Sequence, residues 1–153
     1  MPAPIMQGYD VAPTHAPDDV TQRVAAGWFW ASGGMVSTAY DANAFIRAYA
    51  RGATTSPAAR RAQFMFRPGN SDPPGPGENS AGLAIFRYQT RCGTVYGHTG
   101  NIFGYTQFVA ASKNGRRSVV VSVNSQNKPT MHPDRFRELR RIYTLAVCAA
   151  LAG

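Results

Sequence analysis

TVYGHTGNIFGYTQFVAASKNGRRSVVVSVN, residues 94–124, decides the fold. Within it, residues 94–100, 105–112 and 117–124 carry the β-branched and aromatic side chains that suit a pleated surface. Lys113-Asn114-Gly115-Arg116 joins the last two runs. Asn-Gly is the favoured pair of a tight type I′ turn, so these two strands are expected to be antiparallel. The first run departs from ordinary strand composition. Gly97, Gly100 and Gly104 fall within it and its exit, and glycine inside a strand marks the close approach of a ligand or another backbone.

Working outward, LAIFRYQ (83–89) reads as one more strand ahead of these three. Beyond them a helix is predicted from about Pro133. It sets Phe136, Leu139, Tyr143, Val147 and Leu151 on the face that covers the sheet. Upstream, STAYDANAFIRAYARG (37–52) reads as a helix with Thr38 and Asp41 at capping-box spacing and Gly52 as its stop. Ala44, Phe45, Ala48 and Tyr49 form its apolar stripe. A shorter helical piece falls within 56–66. The fold class is α+β, an antiparallel meander covered by a C-terminal helix and preceded by a helical segment. The chain divides into a lead-in and helical part (1–66), a Pro/Gly loop (67–82), and the sheet with its helix (83–153), together one incomplete domain.

Composition narrows the function classes. The 153 residues are enough for one domain with a core, and no apolar run is long enough to span a membrane. The N-terminal residues carry no secretory signal pattern. Net charge is +8, but the arginines are scattered. Those near the C-terminus (Arg135, Arg137, Arg140 and Arg141) do not share a helix face, so nucleic acid is not an expected partner. Cys92 and Cys148 have no metal-ligand spacing, which leaves two buried thiols or one disulfide. No metal or cofactor is implied.

Several stretches together resemble the C-terminal part of the penicillin-recognising serine hydrolases: the Streptomyces-type D-alanyl-D-alanine carboxypeptidases with their class C beta-lactamase and esterase relatives. His98-Thr99-Gly100, in VYGHTGNIFGY, is similar to the Lys/His-Thr-Gly triplet on the strand lining that family's active site. FVAASKNGRRSVVVSVN resembles the next two strands, and GGMVSTAYDANAFIRAY a segment where a helix begins. The resemblance implies a partial beta-lactamase/transpeptidase-like fold and pairs Cys92 with Cys148 in a disulfide. It also implies acyl-serine chemistry on D-Ala-D-Ala peptides, β-lactams or small esters. In those roles the Asn101 backbone N–H is an oxyanion donor and the Thr99 hydroxyl meets a substrate carboxylate. Gly100 lets the substrate lie against the strand, and His98 supplies positive potential or a hydrogen bond. A hydrogen-bonded core histidine is the plainer reading of His98. Trp28 and Trp30 form either an aromatic side of the cleft or core.

The family's nucleophile and base, an S-x-x-K pair opening a buried helix, have no counterpart upstream of the triplet. Ser125-Gln126-Asn127-Lys128 matches the spacing, but Pro129 follows directly and disfavours helix there. Ser125 is therefore rejected as nucleophile. The chain is expected to be the substrate-binding portion of such a hydrolase, inactive alone, or else a non-catalytic peptide- or penicillin-binding module or interaction protein. Strand 117–124 is expected to leave an unpaired edge, filled by self-association or by a complementing N-terminal chain. A disulfide-bearing parent is expected outside the cell or in the envelope.

Overall fold

The computed structural model describes residues 5–12 and 14–153, so residues 1–4 and 13 of the lead-in lie outside the described part. The lead-in is not wholly irregular: β1 (Tyr9–Asp10) and β2 (Asp18–Asp19) pair antiparallel. A short 3-10 turn at Ala26–Trp28 precedes α1 (Ala39–Ala50) and α2 (Pro57–Gln63). Six strands follow, β3 (Arg67–Pro68), β4 (Glu78–Ala81), β5 (Phe86–Thr90), β6 (Gly93–Ile102), β7 (Tyr105–Ala111) and β8 (Ser118–Val123). They form one sheet in chain order, every neighbouring pair antiparallel. α3 (Pro133–Ala152) closes the chain.

The meander and C-terminal helix are as the sequence predicts, with three corrections around them. Residues 67–82 are not all loop, because β3 and β4 form there. Strand β5 begins at Phe86 rather than at Leu83, because residues 82–85 turn first. There the Gly82 N–H donates to the Ile85 carbonyl at 2.8 Å, and Ala84 takes a φ of +56°. The β7–β8 hairpin is antiparallel but its turn is not type I′, which needs positive φ at both central residues. Of Asn114 and Gly115 only Gly115 has it, at +68°. Instead the Gly115 N–H donates to Ser112 and the Ser112 N–H to Arg117, both at 2.8 Å, and Gly115 turns the chain back.

Strand alternation sorts the side chains onto two faces. Tyr88, Val95, Phe108 and Ala110 join Phe136, Leu139, Tyr143 and Val147 of α3 in the main core, with Leu151 packed against it. The predicted α3 stripe is therefore the buried one. Burial pushes the Tyr88 phenol up to about 12, against the smaller pull of the Ser71 and Thr99 hydroxyls, and raises Tyr143 as well.

The other face packs on α1, where Ile46, Ala50 and Ala111 are buried together. This corrects the α1 stripe. Phe45 is 59% exposed and stacks on Tyr49, whereas Ile46 and Ala50 meet the sheet. Ile46 and the small Ala50 each directly follow a larger aromatic residue, Phe45 and Tyr49, so periodicity leaves open which stripe faces inward. The predicted cap is present: the Thr38 hydroxyl oxygen accepts from the Asp41 N–H at 3.0 Å.

Cys92, in the β5–β6 turn, is disulfide-bonded to Cys148 of α3. Arg140 reaches from α3 to the Pro/Gly loop, its Nε donating to the Gly75 carbonyl at 2.9 Å and Nη2 to that of Gly77 at 2.8 Å.

Candidate functional site

The triplet lies on β6 where that strand changes from two partners to one. β5 pairs with residues 93–97 and stops with Phe86 opposite Gly97, while β7 runs alongside residues 96–102. From His98 to Ile102 the β5 side of the strand has no strand partner among the described residues. Such a step offers backbone donors and acceptors to any extended chain laid into it.

Strand geometry puts the triplet's side chains on opposite faces. His98 pairs with Val109 on the α1 side and is exposed. Its ring packs edge-on to Phe86 at 5.1 Å, and Nδ1 is hydrogen-bonded to the Thr99 carbonyl. It is thus not a core histidine. Thr99 pairs with Phe108 on the α3 side and is only 2% exposed. Its hydroxyl donates to the Pro73 carbonyl at 2.7 Å. Proline at 73 thus supplies the acceptor that holds this part of the loop against the strand.

The three glycines serve three needs. A Cβ at Gly97 would lie 1.9 Å from the Val109 carbonyl oxygen, so the neighbouring backbone forbids one. Gly104 has a φ of +82° at the turn into β7. A Cβ at Gly100 would meet nothing within 4 Å. Of the three, only Gly100 faces open space, beside the unpaired edge.

Asn101 is held by a network at the strand's exit. Its Nδ2 donates to the Asn127 carbonyl at 2.8 Å, and its Oδ1 lies 3.2 Å from the Thr106 hydroxyl. The same hydroxyl lies 2.8 Å from the Ser125 carbonyl and accepts from the Asn127 N–H at 2.9 Å. Thr106 and Asn127 were not foreseen as supports. Asn127 is visible in sequence only as an interior position of the rejected S-x-x-K match. Ser125 itself forms an extended bridge with Tyr9, and its hydroxyl oxygen accepts from Asn127 Nδ2 at 3.0 Å. It does not open a helix, as its rejection requires.

Other candidates fall elsewhere. Trp28 and Trp30 are 80% and 87% exposed, which rules out the core reading for both. Tyr96 packs against Phe64 and Phe66, and the Tyr105 hydroxyl donates to the Met6 carbonyl at 3.0 Å. Arg87 donates to the Ser80 hydroxyl at 2.9 Å and lies over the Phe66 ring. His15 Nε2 lies 3.6 Å from an Asp10 carboxylate oxygen. Among the described residues no cluster of three or more His, Cys, Asp or Glu side chains is arranged to hold a metal ion.

The sequence model of the beta-lactamase family matches residues 2–144. The chain belongs to the beta-lactamase family. Two solved structures share its fold. A D-stereospecific amidohydrolase from Streptomyces sp. is 23% identical with a TM-score of 0.70, over 82% of this chain and 36% of that one. A D-amino acid amidase from Ochrobactrum anthropi SV3, solved with L-phenylalanine amide, is 20% identical with a TM-score of 0.72, over 91% of this chain and 40% of that one. This beta-lactamase-family chain therefore spans about two fifths of the length of either structure. Over that span it supplies the one-sided strand, the loop beneath it and the covering helix.

Proposed function

We propose that this chain is the substrate-binding wall of a serine hydrolase that cleaves short amides, peptides ending in D-Ala-D-Ala, β-lactams or small esters through an acyl-serine. The carrying observation is the step at residues 98–102, a strand with one partner, bordered by exposed His98 and by open space at Gly100. The names of the two structural neighbours favour D-configured amides within that class. A peptide-like substrate would add itself to β6 as a short antiparallel strand. The Asn101 N–H would face the carbonyl oxygen that gains charge during attack, and such a preorganised donor contributes roughly 3–4 kcal/mol to an acyl transfer. His98 stands ready at the rim for a carboxylate. Thr99 can meet one only by releasing the Pro73 carbonyl.

In this reading the nucleophile and its base come from a separate segment, because Ser125 is tied into the strand-exit network. The same tie favours the second reading, a wall that binds without chemistry. Trp28, exposed near the start of the helical segment, is an added aromatic contact in either. The disulfide accords with a protein of the cell envelope or exterior.

Intact mass spectrometry after incubation with a fluorescent penicillin or a fluorophosphonate tests the assignment. The expected result is no adduct on the folded, oxidised chain, while a D-Ala-D-Ala peptide shifts the amide resonances of residues 98–102. An adduct mapped to Ser125 would overturn it. Nitrocefin or p-nitrophenyl ester turnover separates an active enzyme from a binding wall.

A further inference from the structure

Away from the triplet, the tip of the β7–β8 hairpin meets the end of α1 and the side of α2. The depression between them has a volume of about 520 Å³ and is lined by Arg51, Arg60, Ser112, Lys113 and Asn114. Three cations and two neutral polar side chains surround it, with no carboxylate among them. We propose that this depression is a binding site for a phosphate-class oxyanion, inorganic phosphate or a phosphate monoester.

Two cations are drawn to one ring. The Arg60 guanidinium carbon lies 5.0 Å, and Lys113 Nζ 5.8 Å, from the Phe64 centroid. Like charges held this near a common ring favour an anion in the space they share. Arg60 is built into place. Gly52, with φ +81°, ends α1 so closely against it that a Cβ would lie 2.1 Å from Arg60 Cδ. Arg60 Nη2 donates to the Ala50 carbonyl at 2.9 Å and lies 3.4 Å from that of Lys113. Its Nε–H is shut off from water and has no acceptor, the one such guanidinium nitrogen among the described residues.

Capping Ala50 gives Arg60 one structural task, but the other two cations have no such task. Among the described residues the ion pairs join His15, Arg23, Arg137 and Arg141 to carboxylates, and include none of Arg51, Arg60 and Lys113. A monocarboxylate would leave most of this charge uncompensated, whereas a phosphate dianion matches it more nearly and suits the donor fork of arginine. The Ser112 hydroxyl, now donating to Asn114 Oδ1 at 2.8 Å, and the Asn114 amide are further donors at the rim.

The test is an NMR titration of the full chain with inorganic phosphate at fixed ionic strength, with chloride as reference. Saturable shifts are expected for the amides of residues 112–115 and for Arg60 Nε–H. The double variant Arg51→Ala, Lys113→Ala should bind at least tenfold more weakly. If that variant is misfolded, Lys113→Ala alone, at the exposed tip, provides the same readout. Glycerol 3-phosphate separates the sources: binding of both ligands supports a site for a monoester, and binding of phosphate alone supports a site for the free ion. Shifts no larger than those from chloride, or unchanged in the variants, overturn the proposal.

Discussion

The sheet is open in two places, and they differ in every property that decides what binds there. At the β6 step the free edge covers residues 98–102, a short length set with glycine, an exposed histidine and an anchored asparagine. At β8 the edge is the full strand Ser118–Val123, SVVVSV, with neither proline nor charge. Val119, Val121 and Val123 turn to the α3 core, while the Ser118 hydroxyl is hydrogen-bonded to Asn43 of α1. The α3 face of β8 is thus covered and α1 holds the start of the other face, while the edge itself is bare. Among the described residues the chain reaches this strand only just beyond its end, where the Tyr9 N–H donates to the Asn124 carbonyl at 2.9 Å. The opposite margin, β3, is two residues long and includes Pro68, a blunted edge of the usual kind. A short polar step suits a ligand that arrives and leaves, whereas a long apolar edge suits a permanent strand.

The largest expected effect separates the two places by stability. The disulfide ties the β5–β6 turn, at the end of β6 away from the step, to α3 across a sequence separation of 56. In the chain-entropy model a loop of that length contributes about 4 kcal/mol. Replacing Cys92 and Cys148 by serine should lower the unfolding free energy by about that much. Hydrogen exchange should quicken first in β5 and β6 and last at the β7–β8 pairing. A uniform loss of protection would show that the two regions are one cooperative unit.

Alkali provides the next. The Tyr88 phenol is raised to about 12, chiefly by burial. In the unfolded chain this group ionises near 10, so its contribution is fully present below pH 10 and is lost as pH rises from about 10 to 12. The loss is roughly 3 kcal/mol for a shift of about two units. Tyr143 is displaced in the same direction. Denaturant titrations at pH 9 and 11.5 should show the drop, and Tyr88→Phe should remove Tyr88's share. A Tyr88→Phe variant with an unchanged alkaline slope would assign the loss elsewhere.

What was legible in the sequence follows from how many constraints each segment carries. The meander and α3 were legible because period-2 strands, the hairpin signal and a single apolar stripe all agree. For α1 the stripe is ambiguous: Phe45 and Tyr49 are the larger apolar residues, yet Ile46 and Ala50 fit against the sheet. β3 and β4 were hidden by proline and glycine, which punctuate a chain without excluding two- and four-residue strands. At the site, Gly100 stood out from the strand's composition, whereas His98 was singled out only by the resemblance, because a strand histidine reads more plainly as a core residue. The Pro73 acceptor and the Asn127 support could not, because they come from loops whose course no local pattern fixes.

The edge of β8 can be tested by a charge. Ser122 is exposed and pairs with Gln107, so lysine there leaves the core untouched while opposing edge-to-edge pairing. The unaltered chain is expected to self-associate through this strand. Ser122→Lys should weaken that association at least tenfold by light scattering coupled to size exclusion, or about 1.4 kcal/mol. A monomeric parent chain at high concentration would remove the contrast between the two openings.

The smallest effect on stability is expected at Gly100, and there the step shows itself by binding. Gly100 takes no positive φ, and a Cβ added to it meets nothing within 4 Å. Gly100→Ala should therefore leave stability unchanged or raise it by up to about 1 kcal/mol through the unfolded chain. The same substitution at Gly97 would press a methyl group onto the Val109 carbonyl and must distort the β6–β7 ladder. If the space at Gly100 is where an extended ligand lies, the stable Gly100→Ala protein should lose affinity for a D-Ala-D-Ala peptide. Gly97→Ala should instead lose stability first. Undiminished peptide binding by Gly100→Ala would move the ligand off this part of the strand, because the methyl group it adds occupies the one open position that the triplet offers.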